Sequence, residues 1–142
     1  MNQNQDFSPI SAALVAEADR LKFLPSKFGR AFMRAEALVY AWMRKLSPDY
    51  AGGFWDFFTL DNGGFYLAPD VQDKLRVQCD GNWFDGEMSA DAAGIVASLF
   101  AVGQLVHELQ GVEREKLCDA YYHLRAYASE HPESELIMRA ID

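Results

Sequence analysis

Between Tyr50 and Pro69 the chain reads Y-A-G-G-F-W-D-F-F-T-L-D-N-G-G-F-Y-L-A-P. An aromatic run, an Asx-Gly turn and a second aromatic run leave one simple local solution. Phe54–Leu60 and Phe65–Ala68 form antiparallel strands joined at Asp61-Asn62-Gly63-Gly64. Aromatic side chains suit a half-buried pleated surface, and glycine after Asx accepts the positive φ of a tight hairpin. Pro69 ends the second strand or places it at an edge, because it has no N–H to donate.

The alternation continues downstream. Leu75, Val77 and Cys79 interleave with Arg76 and Gln78 as a third strand, and Asp80-Gly81-Asn82 turns the chain into a fourth, Trp83–Met88. Such connections are too short for parallel crossovers, so an antiparallel meander is expected. The aromatics gathered here, from Phe54 and Trp55 through Trp83 and Phe84, are read as core. A base-stacking platform would carry Lys and Arg at its flanks, whereas residues 49–91 hold 2 basic and 9 acidic groups.

Helical periodicity brackets this region. Residues 10–22 read as a first short helix, broken by Pro25 and Gly29, with Phe23–Gly29 as a connector. Arg30–Leu46 is amphipathic: Phe32, Ala35, Val39, Trp42, Met43 and Leu46 share one face, and Arg30, Arg34, Arg44 and Lys45 the other. Glu36, at the edge of the apolar face, needs a partner. Ser47-Pro48 stops that helix, and Ser89 caps the next. In this next helix Ile95, Leu99, Val102, Val106 and Leu109 form a stripe, and Ala93, Gly94 and Ala97 permit close approach on another side. Gly111 is expected to end it, with Glu113–Ala128 following and Pro132 opening a last helix through Ile141. The fold class is α+β: a three- to four-stranded antiparallel meander with four to five α-helices. Residues 1–142 are expected to form one domain, with 1–9 as a disordered tail.

Charge narrows the function classes. The net charge is −8, but residues 1–48 carry 7 basic and 4 acidic groups, so acidity concentrates after the first third. A general DNA binder needs a dominant basic surface. The longest charge-free apolar stretch, Ala92–Val106, has 15 residues, short of the roughly 20 that span a bilayer. The N-terminus shows no basic n-region or apolar h-region, and Cys79 and Cys118 do not resemble a stapled secreted scaffold. The expectation is a soluble, cytoplasmic protein, monomeric or weakly associating.

No constellation supports catalysis. An EF-hand loop starting at Asp80 would put Asp85 where glycine is required and Asp91 where a bidentate glutamate is usual. His107, His123 and His131 show no metal-ligand spacing, G-x-S-x-G is absent, and neither glycine pair forms a phosphate loop. No metal and no cofactor is expected. Two charged features remain as candidate contact surfaces: an acidic rim of Asp80, Asp85 and Glu87, and a basic stripe of Arg30, Arg34 and Arg44. Nine carboxylates interrupted by aromatics are thin for a DNA mimic.

Several segments resemble the ArdB/KlcA antirestriction family: R-L-K-F-L-P-S-K-F-G (Arg20–Gly29), E-A-L-V-Y-A-W-M (Glu36–Met43), D-Y-A-G-G-F-W-D-F (Asp49–Phe57), N-G-G-F-Y-L-A-P (Asn62–Pro69) and F-D-G-E-M-S-A-D-A-A-G-I (Phe84–Ile95). A weaker likeness continues from Leu124 to the terminal A-I-D, and Leu67 stands where the family has methionine. The resemblance implies a family-specific α+β fold, no cofactor, and relief of type I restriction for incoming unmodified DNA. The partner implied is the restriction endonuclease system or an associated host factor. The alternative is a nucleic-acid-associated regulator of plasmid maintenance that uses the basic face of helix 30–46.

Overall fold

A computed structural model describes residues 9–142; the expected tail at 1–9 lies almost wholly outside them. Described elements run β1 (Ala12–Leu14), α1 (Arg20–Phe28), α2 (Phe32–Leu46), β2 (Trp55–Leu60), β3 (Phe65–Pro69), β4 (Leu75–Cys79), β5 (Phe84–Met88), α3 (Ala90–Glu108), α4 (Gly111–Glu130) and α5 (Ser134–Ile141). The class is α+β, with five α-helices and five strands among the described residues.

The β2–β3 hairpin forms as its sequence dictates. Phe57 faces Leu67 and Thr59 faces Phe65, and the turn is closed by Asn62. Its Oδ1 accepts from the Gly64 N–H at 3.0 Å, and its Nδ2 donates to the His123 carbonyl at 2.9 Å. Gly63 sits at φ +96°, and a Cβ on Gly64 would meet the His123 Cβ at 2.9 Å. Local turn chemistry and contact with α4 therefore select the same residues.

Two expectations fail here. Residues 10–22 do not form one helix: Ala12–Leu14 pairs antiparallel with β2, Ala12 opposite Leu60. Only the last part is helical, as a 3-10 turn at Glu17–Asp19 that leads into α1 at Arg20. The free edge of β2 supplies partners that a short helix lacks. Val15 N–H donates to the Phe57 carbonyl at 2.8 Å, and Asp61 N–H to the Ser11 carbonyl at 3.0 Å. An isolated helix of this length is marginal, so tertiary pairing wins. Conversely, the supposed connector is helical, with Pro25 inside α1. An interior proline costs a helix about 3 kcal/mol or more. Phe23 and Phe28 offset this by packing into the core, Phe23 stacked on Phe57 at 5.3 Å and Phe28 edge-on to Phe65 at 5.2 Å.

The meander also divides. Strands β1-β2-β3 form one sheet, while β4-β5 is a separate hairpin. The cause lies in α3, which occupies the outer edge of β3. Leu67 N–H donates to Ser98 Oγ at 3.1 Å, and that hydroxyl donates back to the Leu67 carbonyl at 3.2 Å. One turn earlier, Gly94 lets the helix touch β3: a Cβ there would lie 2.5 Å from Ala68. A fourth strand cannot pair where a helix already holds the edge.

Ser89 caps α3 through Ala92 N–H at 3.1 Å, and most residues from Ala90 to Val106 are buried, with Asp91, Phe100, Gly103 and Gln104 partly exposed. With 19 residues, α3 is long and apolar enough by length and composition to cross a membrane. It is instead covered by β3, α2, α4 and α5. Helix α4 turns Leu117, Ala120, Leu124 and Ala128 inward, and α5 contributes Ile137 and Ala140. Gly111 begins α4 rather than ending α3, and Pro132 precedes α5 in a turn.

Candidate functional site

The β4–β5 hairpin presents the acidic rim. Alternation buries Leu75, Val77, Phe84 and Met88 and turns Arg76, Asp85 and Glu87 outward. Register sets Arg76 opposite Glu87 and Gln78 opposite Asp85. Arg76 nevertheless reaches diagonally to Asp85 with two hydrogen bonds, Nε to Oδ1 at 2.9 Å and Nη2 to Oδ2 at 2.7 Å. These bonds hold the Asp85 carboxyl below its ordinary range. Asp85 is thus spent within the hairpin. Asp80 and Glu87 are exposed and, among the described residues, form no salt bridge.

At the hairpin tip stands Trp83, grouped with the core aromatics on sequence grounds. It is 89% exposed and adopts φ +64°, the one non-glycine residue with positive φ among those described. Strand β5 starts after it, at Phe84. Asn82 fixes the tip: its Oδ1 accepts from Phe84 N–H at 3.0 Å, and its Nδ2 donates to the Ala140 carbonyl at 2.9 Å and the Arg139 carbonyl at 3.3 Å. The turn is therefore fastened to the C-terminal end of α5. Phe54 is likewise exposed rather than core.

The basic stripe does not survive as a unit. Arg30 lies in a 3-10 turn ahead of α2, not on it. Arg34 pairs with Glu108 of α3 through Nε at 3.1 Å and Nη2 at 2.8 Å, which lowers the Glu108 carboxyl. Gln104 extends the strut, donating to Glu108 at 3.3 Å and accepting from Trp42 Nε1 at 3.0 Å. Arg44 remains exposed. Among the described residues, no hydrogen bond or salt bridge joins Arg30, Arg34 or Arg44 to Asp80, Asp85 or Glu87. Glu36 finds its partner within α2, accepting from Tyr40 Oη at 3.1 Å.

One polar cluster was not legible as a unit in the sequence. Tyr66 Oη donates to Asp91 Oδ1 at 2.7 Å, and His131 Nε2 meets Asp91 Oδ2 at 2.8 Å. His131 Nδ1 accepts from Glu133 N–H at 3.0 Å, so the Nε2 proton points at the carboxylate. The Glu133 carboxylate in turn accepts from both the N–H and the hydroxyl of Ser89. These residues are scattered from 66 to 133; only the capping position of Ser89, with Asp91 behind it, was a signal. Burial and then Asp91 push the Tyr66 phenol far up, the wrong direction for a base or nucleophile near neutral pH. Each member holds another member, so the cluster works as a clamp between β3, α3 and the α4–α5 turn.

An open groove of about 590 Å³ lies between α2, α3 and α4, lined by Trp42, Phe100, Tyr121, Tyr122, His107 and Cys118 among others. Both cysteines are free. Among the described residues, no group of three or more His, Cys, Asp or Glu is arranged to hold a metal ion.

Comparison with known proteins gives a consistent picture. Residues 48–142 match the family model described as "Antirestriction protein". Two Escherichia coli proteins named antirestriction protein KlcA are similar at 55% and 58% identity. The first alignment covers 98% of this chain and 99% of that protein, the second 95% of each. A solved structure matches with a TM-score of 0.89 at 53% identity, covering 99% of this chain and 100% of the other. It comes from work describing KlcA and ArdB as having a novel fold and antirestriction activity against type I DNA restriction systems in vivo but not in vitro. The chain belongs to the antirestriction protein family.

Proposed function

We propose that this chain relieves type I restriction of incoming unmodified DNA, inside the cell, by making a contact rather than by catalysis. The observation that carries the reading is the near full-length similarity, in sequence and in fold, to proteins with that activity. The absence of catalysis is supported by the Tyr66–Asp91–His131 cluster, the most enzyme-like arrangement among the described residues. Its polar groups are consumed by one another, and Tyr66 is 1% exposed.

For the contact itself, the β4–β5 hairpin is favoured over the basic stripe. Asp80 and Glu87 have no salt-bridge partner among the described residues, whereas the stripe is divided, Arg30 lying in a 3-10 turn and Arg34 and Arg44 on α2. Arg34 is also engaged by Glu108. Activity in vivo without activity in vitro, as described for KlcA and ArdB, suits a contact with a cellular component beyond purified enzyme and DNA.

Plating unmodified phage on type I-restricting cells, with and without the chain, tests the reading. Higher plating with host methylation unchanged is expected. Unchanged plating despite soluble protein would overturn it, as would purified chain that cleaves or modifies DNA.

A further inference from the structure

Trp83 is the largest type of side chain placed where folding gains least from it. It is 89% exposed, and no aromatic or cation–π partner contacts it among the described residues. Its backbone, at φ +64°, lies in the region that suits glycine and is uncommon for bulky residues. Packing and backbone preference both argue against tryptophan here. Burial in a partner would supply what the fold does not, since exposed tryptophans that enter pockets on association dominate interface energetics.

The mounting is rigid. Asn82 and Phe84, on either side, are fixed by the Asn82 bonds to the Arg139 and Ala140 carbonyls and by burial of Phe84, over which the Arg139 guanidinium lies at 5.5 Å. The indole is held away from the body on a turn that has little freedom to lose on binding.

Charge identifies the class of partner. Among the described residues Asp80 is unpaired at the tip, and Glu87 is unpaired further along β5, opposite the Arg76 that neutralises Asp85. Asp142, at the end of the helix that anchors Asn82, lies 3.7 Å from Arg125, and the one cation beside the tip, Arg139, rests on Phe84. The two carboxylates left without a partner, Asp80 and Glu87, favour Lys and Arg over the phosphates of nucleic acid. We infer that Trp83 is the anchor of a protein–protein contact: it enters an apolar pocket on a protein partner whose rim is basic and faces Asp80 and Glu87. The inference rests on the antirestriction reading and names the surface through which it acts.

The test compares plating of unmodified phage on type I-restricting cells that produce the parent chain, Trp83→Gly, Trp83→Phe, or a double variant carrying Asp80→Lys and Glu87→Lys. The melting temperature of each is measured alongside. Trp83→Gly is expected to match or exceed the parent in melting temperature, because glycine suits the backbone, and to lose relief at least tenfold. Trp83→Phe should retain part of the relief, and the charge-reversed variant should lose it while staying folded. Full relief by Trp83→Gly would overturn the anchor while leaving the functional reading intact. No relief by the parent would overturn the functional reading and the anchor with it. Tryptophan fluorescence with an added oligothymidylate covers the remaining class: quenching in the parent but not in Trp83→Phe would make the partner a nucleic acid and refute the protein assignment.

Discussion

Gly94 and Ala68 meet backbone to backbone: a Cβ on Gly94 would lie 2.5 Å from both Cα and Cβ of Ala68 and 2.5 Å from the Leu67 carbonyl oxygen. Helix α3 can hold the edge of β3 only because this position has no side chain. Gly94→Ala should therefore force helix and strand apart and destabilise the protein by about 1–3 kcal/mol. Gly81→Ala, where the added carbon meets nothing within 4 Å, should stay within about 0.5 kcal/mol of the parent. Urea unfolding of both variants checks the contrast.

Ser89 serves α3 twice, accepting from Ala92 N–H and donating to Glu133. Ser89→Ala removes the cap and one donor to a carboxylate. A loss of about 1–2 kcal/mol is expected from urea unfolding. Ser89→Thr, which keeps the oxygen, should lose less.

Tyr66 and His131 hold opposite oxygens of the Asp91 carboxylate. Tyr66→Phe should cost about 1–2 kcal/mol. Asp91→Asn should cost more, and the two effects should not add, because both break the same bond. A double-mutant cycle by denaturant unfolding measures this coupling.

The Arg34–Glu108 strut gives stability a pH dependence. The hydrogen bond from Arg34 is the main cause that lowers the Glu108 carboxyl below its ordinary value. A depressed folded-state value means the stabilisation is fully present above the ordinary glutamate range, about 4.3. It is lost as pH falls through the depressed value. Glu108→Gln should thus be less stable than the parent at pH 7, with the difference closing in acid. Both partners are largely solvated, so added salt should also shrink the difference at pH 7. Thermal melts from pH 7 to 3 and at two salt concentrations test both effects.

What could be read from the residues beforehand was what local chemistry decides. The Asp61–Gly64 turn, the Ser89 cap and the apolar stripe of α3 each follow from neighbours within a few positions. Ala12–Leu14 did not, because its extended form depends on the free edge of β2, more than 40 residues away in sequence. The division of the sheet depends on Ser98 and Gly94 reaching Leu67 and Ala68, a tertiary approach that no alternation pattern reports. Asp80 and Glu87 were legible as an exposed rim, whereas Arg34 left the basic stripe for Glu108, 74 positions on. Trp83 was hidden for a different reason. Aromatics in a strand pattern read as core, and nothing local marks a non-glycine residue for positive φ.

The central claim is that activity lies in an exposed contact and not in the buried polar cluster. Its most direct test is the plating of unmodified phage on type I-restricting cells producing equal amounts of folded parent chain or Tyr66→Phe. That variant removes the hydroxyl of the most enzyme-like cluster and leaves the hairpin surface unchanged. Relief by the parent, matched within about twofold by Tyr66→Phe, is the expected result, since function lies in the contact site and that surface is unchanged. No relief by the parent, or loss of relief in a folded Tyr66→Phe, would contradict it.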